Sequence, residues 1–344
     1  MKAAVLTANA TLELCDVPEP ALAPDECRVR VRAAGVCSSD IARAFEGGAY
    51  GYPLIMGHEL AGEIVEVGAG LSARFRLGAR AAVFPLIPCG KCEACRRKAY
   101  ARCATYDYYG SRRHGGFAEH LNVRGWNLLP IPKTISFEAG ACLEPLAVVV
   151  HALRRAGLLS ARPPAGEIAI LGAGFLGQLA SRIIALKHPQ AHVAIVDRNA
   201  FKISLARPYA AEAAELVDED KWRDYMKANA GRFAVVVEAC GAPETYLRSL
   251  ELAREGATVL WMGNIAGDLL LDKKMTSSIL RKELKLLGTW NSDYRERGAS
   301  DWTEGLALLE KGLSMRSRHE AHRAGGTSPS PGRSARAQDS PRAP

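Results

Sequence analysis

The spacing of apolar residues divides the chain into two parts with different predicted secondary structure. Residues 1 to about 145 contain short runs in which apolar and polar residues alternate, such as 28–31 (RVRV) and 63–67 (EIVEV). Glycine and proline interrupt these runs repeatedly. Alternation with a period of two is typical of half-buried β-strands. The first part is therefore predicted to be mostly β.

From about residue 165 the pattern changes to continuous apolar strands separated by helical stretches. Residues 167–171 (EIAIL) run into Gly172, and a helical pattern follows through Lys187. Further buried strands are predicted at 192–197, 234–238 and 257–261. Buried strands that alternate with helices predict a parallel sheet covered on both faces. The predicted fold class is α/β, with a doubly wound parallel sheet in the second part.

The last 31 residues have a different composition. Residues 302–314 still form an amphipathic helical pattern, but 314–344 contain no Leu, Ile, Val, Phe, Tyr or Trp, with four prolines and six serines. Such a segment buries too little apolar surface to offset the entropy of ordering. The change in composition is abrupt. A shifted reading frame in a GC-rich gene produces a sequence rich in Arg, Ala, Pro, Gly and Ser, as in this segment. We predict a disordered or frameshifted tail at 314–344.

Length and charge restrict the possible functions. At 344 residues, 48% hydrophobic and 24% charged, the chain is expected to fold into about two domains with full cores. Half of the net charge of +8 comes from 314–344, and the remaining charges are mixed in sign. No nucleic-acid partner is therefore predicted. Without a signal peptide or an apolar run of roughly 20 residues, the expected location is cytoplasmic, with no membrane partner.

Four cysteines lie close together in the sequence CGKCEACRRKAYARC. They are Cys89, Cys92, Cys95 and Cys103, among nine cysteines that should be thiols or metal ligands in a cytosolic chain. Four thiolates from one loop fill every position around a tetrahedral ion, which is typical of structural zinc. An iron–sulfur cluster accepts the same ligands, whereas a redox Cys-x-x-Cys motif needs only two cysteines and a zinc ribbon uses two separated pairs. We predict one structural zinc.

A second set of metal-ligand types is scattered along the first part of the chain. It comprises Cys37, His58, Glu59 and Glu144. Catalytic zinc uses three protein ligands of these types and leaves one position open. Taken alone, each residue also has an ordinary structural explanation. Cys37 is compatible with a buried core thiol, His58 with a hydrogen-bonded core histidine and Glu144 with an acid at a helix N-terminus.

The sequence from Gly172 to Gly177, GAGFLG, follows a predicted buried strand and opens a predicted helix. In this position G-x-G-x-x-G indicates a dinucleotide site, with Gly172 at the tight turn, Gly174 next to the pyrophosphate and Gly177 against the strand. Phe175 and Leu176 complete the turn. Twenty residues after Gly177, Asp197 can bind the ribose hydroxyls and repel a 2′-phosphate, which favours NAD over NADP. Arg198 opposes this preference, because it can pair with that phosphate.

The order of GVCSSD, GHELAGEIVEVG, the four-cysteine spacing, GGFAEH, LEP and GAGFLG resembles the zinc-containing medium-chain dehydrogenase/reductase family. The resemblance covers residues 1 to about 313 and is strongest to the polyol dehydrogenase branch. It implies a GroES-like β-rich catalytic domain at 1–148, with the structural zinc lobe at 89–103. It also implies a Rossmann NAD-binding domain at 149–290 and a return to the catalytic domain at 291–313.

The resemblance further implies roles for individual residues. Cys37, His58 and Glu144 would bind catalytic zinc, and Glu59 would be an alternative ligand or a neighbouring acid. Asp40 would orient His58, and Ser39 would relay a proton. The main chain at Gly263 would lie near the nicotinamide.

Arg112 and Arg113, in GSRRHGG, could form a cationic cradle for a phosphorylated substrate, although adjacent arginines are more often surface charge. The implied activity is zinc- and NAD-dependent oxidation of a polyol phosphate to a ketose phosphate by a homo-oligomer, a dimer or tetramer. A dehydrogenase of free polyols, of the sorbitol/L-iditol type, and a non-catalytic NAD-binding relative are the alternatives. Intact ligand positions favour an enzyme.

Overall fold

The computed structural model describes residues 1–315. The strands are β1 (Lys2–Ala8), β2 (Thr11–Asp16), β3 (Glu26–Gly35), β4 (Leu54–Ile55), β5 (Glu59–Val67), β6 (Arg80–Val83), β7 (Leu86–Ile87), β8 (Asp107–Tyr108), β9 (His120–Arg124), β10 (Leu128–Pro130), β11 (Ile168–Leu171), β12 (Val193–Asp197), β13 (Glu212–Glu215), β14 (Phe233–Glu238), β15 (Ala253–Trp261) and β16 (Lys285–Gly288). The α-helices are α1 (Ser38–Phe45), α2 (Glu93–Arg96), α3 (Phe137–Ala141), α4 (Leu143–Arg155), α5 (Phe175–Lys187), α6 (Ala200–Ala206), α7 (Glu219–Asn229), α8 (Pro243–Leu252), α9 (Lys273–Arg281) and α10 (Asp301–Glu310).

The first ten strands form antiparallel sheets. Three strands follow the order β2-β1-β4, five follow β10-β6-β5-β3-β9, and β7 pairs with β8. Val29 on β3, Ile64 on β5 and Val83 on β6 point into a common core and are at most 1% exposed. Their spacing reflects the alternation of apolar and polar residues, because successive side chains of a strand point to opposite faces.

The next six strands form one parallel sheet in the order β13-β12-β11-β14-β15-β16. Numbered along the chain, this is 3-2-1-4-5-6, the Rossmann order. Every residue of β11, β12 and β14 is buried, because helices cover both faces. The predicted fold class, a GroES-like β-rich part followed by a Rossmann sheet, is confirmed.

After β16 the chain returns to the β-rich part through an aromatic cluster. The cluster consists of Phe84, Trp126, Tyr294 and Trp302. Phe84 and Tyr294 stack with ring centroids 4.3 Å apart, and the Tyr294 hydroxyl donates to the Trp126 carbonyl oxygen at 2.9 Å. These contacts fix the segment that leads into α10.

Helix α10 packs against α4. Asp301, at the start of α10, is only 1% exposed and lies 2.8 Å from His151 Nδ1. Its other oxygen accepts a hydrogen bond from Arg154 Nε at 3.0 Å. A buried carboxylate that contacts both His151 and Arg154 therefore joins the two helices.

The predicted domain bounds of 1–148, 149–290 and 291–313 stay predictions, and α4 runs without a break across the first boundary. The prediction for 314–344 lies outside the described residues, apart from its first two positions. Among residues 1–315, no helix is long and apolar enough to cross a membrane.

Replacing Trp302 with alanine tests the aromatic cluster. The side chain is fully buried, its ring lies 5.4 Å from Phe84, and its indole nitrogen donates to Ser292 Oγ at 3.0 Å. Trp302→Ala leaves a cavity and removes the hydrogen bond to Ser292, so we expect a loss of about 3–5 kcal/mol in the free energy of unfolding. Urea unfolding at fixed zinc concentration, followed by circular dichroism, measures this loss.

Trp290→Ala is the matched control, because that tryptophan is 59% exposed. Its substitution should change stability by no more than about 0.5 kcal/mol. Similar unfolding midpoints for the two variants would show that the cluster does not stabilise the fold.

Candidate active site

The pairing of two strands brings Cys37, His58 and Glu59 together. Strand β3 ends at Gly35, which is the register partner of Glu59 at the start of β5. Cys37 follows β3 by two residues, and His58 immediately precedes β5. One ligand atom from each of the three residues lies within 4.8 Å of the others. Gly35 is needed at this point, because a Cβ there would lie 2.2 Å from Glu59 Oε2.

Glu144 reaches the same region from the first turn of α4. Its buried carboxylate accepts a hydrogen bond from the Tyr108 hydroxyl at 3.2 Å. The Tyr108 ring stands edge-on to the His58 ring, with centroids 5.9 Å apart. Among the described residues, the compact group of ligand atoms contains Glu59 and not Glu144.

Asp40 lies behind His58 on α1 and is 1% exposed. Its Oδ2 accepts a hydrogen bond from the Cys37 backbone amide at 3.1 Å, and its Oδ1 accepts one from Arg43 at 2.9 Å. His58 Nδ1 is 3.4 Å from the same Oδ1 but does not form a hydrogen bond with it. Asp40 thus faces His58 through a charge contact, while Arg43 holds the carboxylate in place.

Several acidic groups share this buried space. Burial, and then the neighbouring Glu144 carboxylate, raise the pKa of Glu59 to about 7. Burial also raises the pKa of Glu144. Burial opposes a charge on the imidazole, but contacts with Asp40 and Cys37 and the charge of Glu144 raise the pKa of His58 to about 11. The group therefore holds protons that a divalent cation can replace.

The donor set matches the chemistry of zinc. A thiol, an imidazole and a carboxylate are the ligands of catalytic zinc sites, and one ligand atom from each of Cys37, His58 and Glu59 lies within 4.8 Å of the others. Cys37, His58 and Glu59 could bind the ion directly, and Glu144 is close enough to interact with it electrostatically.

The four cysteines of the 89–103 lobe form a second compact group. Their sulfur atoms all lie within 4.8 Å of one another, and none forms a disulfide. Cys103 Sγ accepts a hydrogen bond from the Cys89 amide at 3.3 Å, and Cys89 Sγ accepts one from the Cys92 amide at 3.4 Å. Backbone amides of Lys91 and Cys92 lower the pKa of Cys89 to about 5, so this sulfur is available as a thiolate. Four converging sulfur atoms fit a closed tetrahedral zinc site.

A third group of possible ligands contains Glu167, His192 and Glu212. It lies at the amino-terminal edge of the parallel sheet, away from the glycine turn. Arg232 makes ion pairs with both glutamates, and its distance to Glu212 Oε1 is 2.6 Å. Because these carboxylates already have a cationic partner, we assign no metal to them.

The glycine turn has the geometry that a dinucleotide requires. Gly172 has φ +103°, and a Cβ at Gly177 would lie 1.9 Å from the Gly172 carbonyl oxygen. Nothing lies within 4 Å of a Cβ built at Gly174, so the backbone is open to a ligand at that position. Gly174 also caps the N-terminus of α5, where unpaired amides attract phosphate. Phe175 is exposed and Leu176 is half-buried in the first turn of this helix.

Asp197 ends β12 beside the glycine turn. Its Oδ2 accepts a hydrogen bond from the Ala173 amide at 2.8 Å, and its Oδ1 accepts one from the Asn199 amide at 2.9 Å. Lys202 Nζ lies 3.9 Å from Oδ2, and the neighbouring Arg198 is exposed. The acid therefore ties the glycine turn to the second strand in addition to facing the cleft edge.

The two adjacent arginines differ in their surroundings. Arg113 donates to Asp107 Oδ2 at 2.7 Å and is half-buried. Arg112 is exposed between the rings of Tyr50 and Tyr106, 4.8 and 4.3 Å from their centroids, and makes no ion pair with a described carboxylate. Arg112 Nη1 donates to the Tyr106 carbonyl oxygen at 3.0 Å, and of the two arginines only Arg112 has no carboxylate partner among the described residues.

The roles of two further residues, Ser39 and Gly263, stay predictions. Ser39 is exposed in the first turn of α1, two residues after Cys37. Gly263 follows β15, and its amide donates to the Glu238 carbonyl oxygen at 3.0 Å.

Of three contacts at the site that the sequence did not predict, two have no clear sequence signal. Tyr108 reaches Glu144 across 36 residues, and Asp107 pairs with Arg113 within one turn. Arg43 could have been suggested by its place one helical turn after Asp40.

Comparison with known proteins assigns the family. The model of the alcohol dehydrogenase GroES-like domain matches residues 23–133, and that of the zinc-binding dehydrogenase matches 176–311. Galactitol 1-phosphate 5-dehydrogenase of Escherichia coli (strain K12) is 32% identical over 296 residues, which cover 85% of this chain and 83% of the relative. The chain belongs to the zinc-containing medium-chain dehydrogenase family.

Solved structures of relatives have the same fold. The crystal structure of galactitol-1-phosphate dehydrogenase from Escherichia coli matches with a TM-score of 0.81 and 30% identity, covering 91% of this chain and 90% of that one. A putative zinc-binding dehydrogenase from Sinorhizobium meliloti 1021, bound to NADP, matches with a TM-score of 0.80 and 28% identity, covering 91% and 89%.

Membership in this family confirms several predictions. The chain is an alcohol or polyol oxidoreductase that acts on small molecules. Zinc and a nicotinamide dinucleotide are its cofactors. The roles of the individual site residues stay predictions.

Zinc analysis tests the two metal groups separately. We expect about two zinc ions per wild-type chain and about one in Cys37→Ser and in Cys92→Ser. Cys37→Ser should lose turnover and keep its fold, whereas Cys92→Ser should lower the melting temperature, because a structural ion contributes to folding. Elemental analysis and thermal unfolding measure both effects.

Cys15→Ser is the control, since Cys15 on β2 belongs to neither group. It should retain both ions and full stability. A single ion in the wild type, or an unchanged melting temperature in Cys92→Ser, would refute the two-site assignment.

Proposed function

We propose that the chain oxidises a secondary alcohol of a polyol phosphate to a ketose phosphate, with NAD as acceptor, in the manner of galactitol-1-phosphate 5-dehydrogenase. The observation that carries the phosphate in this proposal is the exposed guanidinium of Arg112, which has no carboxylate partner among the described residues and is linked to His58 through the rings of Tyr106 and Tyr108. The similarity to the Escherichia coli relative supports it.

The geometry of the buried group supports the proposed metal ligands. Cys37 and His58 would bind zinc together with one carboxylate. Glu59 lies in the compact group and would be that ligand in the conformation described. Glu144, held by the Tyr108 hydroxyl, would replace Glu59 or stabilise the ion from a greater distance.

When bound, zinc supplies a Lewis acid for the substrate hydroxyl, and the nicotinamide ring supplies a hydride acceptor. The protein orients these groups and handles the proton. Asp40 faces His58 Nδ1 and thereby fixes the imidazole, which leaves Nε2 for the metal. Ser39, exposed beside Cys37, would pass the alcohol proton to solvent.

Arg112 would recognise the phosphate at the entrance to the site. Tyr106, one of its two ring partners, lies 6.1 Å between centroids from Tyr108, whose ring contacts His58. This row of rings runs from the buried ligand group to an exposed cation. A guanidinium offers several donors to phosphate oxygens, and the two tyrosine rings restrict its motion. Arg113 would act indirectly, by bracing the loop through Asp107.

NAD is preferred over NADP in this proposal because of Asp197. Its carboxylate is fixed at the end of β12 by the amides of Ala173 and Asn199, so a 2′-phosphate there would meet a negative charge. Arg198 and Lys202 provide positive charge nearby. Assembly into a dimer or tetramer and a cytoplasmic location stay predictions.

Substrate discrimination by Arg112 tests the proposed function. Wild-type protein should reduce NAD with galactitol 1-phosphate faster than with galactitol or sorbitol. Arg112→Ala should raise KM for the phosphorylated polyol by about tenfold or more, since a charge-assisted hydrogen bond is lost, and change KM for free polyols by no more than about twofold. NADH absorbance in steady-state assays gives both values.

Arg223→Ala removes an exposed arginine on α7 and should change neither KM. Equal effects of Arg112→Ala on phosphorylated and free substrates would refute the phosphate role. Equal turnover of galactitol 1-phosphate and sorbitol by the wild type would instead favour a dehydrogenase of free polyols.

The cofactor preference is tested at Asp197. Asp197→Ala should weaken NAD binding by about tenfold and reduce discrimination against NADP, because the repelling charge and the anchor of the glycine turn are both removed. Dissociation constants for NADH and NADPH, from ligand fluorescence, measure the change.

Glu215→Ala is the control, because Glu215 ends the neighbouring strand β13 and is exposed. Its affinities should equal those of the wild type. A wild-type preference for NADPH would show that Arg198 and Lys202, rather than Asp197, determine the choice.

A further inference from the structure

Glu238 is a fully buried acid in the crevice of the parallel sheet. It is the last residue of β14 and is 0% exposed. Its register partners are Leu171 on β11 and Trp261 on β15. The strand order reverses between β11 and β14, and ligands of such sheets bind at that point, beyond the carboxyl ends of the strands.

One carboxylate oxygen of Glu238 holds the loop that follows β14. Oε1 accepts hydrogen bonds from the Cys240 amide at 2.8 Å, the Gly241 amide at 2.9 Å and the Thr245 hydroxyl at 2.8 Å. Three donors on a single oxygen fix the direction of this loop, because each restricts a different part of it.

The same residue holds the loop that follows β15. The Glu238 carbonyl oxygen accepts hydrogen bonds from the amides of Met262, at 2.9 Å, and Gly263, at 3.0 Å. A Cβ at Gly263 would lie 2.3 Å from the Gly241 nitrogen and 2.7 Å from Glu238 Oε2. The loops after β14 and β15 therefore approach each other through backbone atoms, with Glu238 between them.

This double loop lies opposite the glycine turn. Gly172 follows β11, the first strand of one mononucleotide-binding half, and Gly241 follows β14, the first strand of the other. A Cβ at Gly172 would lie 2.8 Å from Cys240 Sγ, so the two turns are in close contact. Because Asp197 places the adenosine ribose on the first half, the second half is left for the nicotinamide.

A carboxyl group is a costly choice for an anchor at this place. Oε2 makes no hydrogen bond within the part of the chain that the structure describes, and burial raises the pKa of Glu238. An unpaired buried polar atom lowers stability. In return, the Oε1 atom of Glu238 accepts hydrogen bonds from three donors at once.

We propose that Glu238 is a positioning residue for the nicotinamide half of the dinucleotide, which fixes the backbone of residues 240–241 and 263 against the glycine turn. It acts through the two loops and does not touch the reacting atoms. The proposal rests on dinucleotide binding and is independent of the substrate proposed above.

A pair of ligands separates this role from general stability. NADH contains the nicotinamide, whereas ADP-ribose has the same adenosine and pyrophosphate without that ring. Glu238→Ala should weaken NADH binding by about tenfold, or about 1.4 kcal/mol, and ADP-ribose binding by no more than about twofold. Glu238→Gln, which keeps the acceptor oxygen, should restore NADH affinity to within about threefold of the wild type. Isothermal titration of the zinc-loaded protein gives all of these constants.

Asp197→Ala is the control in the other half and should weaken both ligands. If Glu238→Ala does not fold, Thr245→Val removes one of the three donors with little change in shape, and a loss confined to NADH is again expected. Equal losses for NADH and ADP-ribose, no loss for either, or a glutamine variant as weak as the alanine variant would overturn the proposal. Failure of the wild type to bind either ligand would contradict the dinucleotide site itself.

Discussion

The concentration of acidic groups in one buried space is the constraint on which the site depends. Cys37, Asp40, Glu59 and Glu144 converge around a single imidazole, that of His58. Negative charges so close together in a protein interior are unstable unless protons or a cation compensate them. The pairing of β3 with β5 forces the convergence, and Gly35 is the residue that permits it. The neighbouring hydroxyl of Tyr108 and guanidinium of Arg43 each relieve part of the charge without filling the position of an ion.

The parts of the fold that depend on neighbouring residues could be predicted from the sequence. Strands β11, β12 and β14 follow from continuous apolar runs, and the conformations at Gly172 and Gly177 follow from a turn of six residues. The four-cysteine lobe is equally local, since all its sulfur atoms come from one loop. Local geometry determines these features, so their spacing alone identifies them.

Features that join distant parts of the chain could not be predicted in the same way. No spacing rule links Tyr108 to Glu144, or indicates that Asp107 would pair with Arg113 and not with Arg112. Glu238 is part of an ordinary strand pattern, and only the three donors around its carboxylate distinguish it from a core residue. Each of these contacts depends on the register of elements that come together only in the folded protein.

The return of the chain to its first part has a consequence for biosynthesis. His151 on α4 and Asp301 on α10 are 150 residues apart along the chain, and Phe84 and Tyr294 are separated by an even longer segment. At a translation rate of about 5–20 residues per second, the partner of α4 leaves the ribosome on the order of ten seconds after α4 itself. During this interval a nascent chain presents the apolar face of α4 and the ring of Phe84 without their covering segment. The newly made protein is therefore most exposed to aggregation, and most dependent on chaperones, just before residues 291–313 emerge.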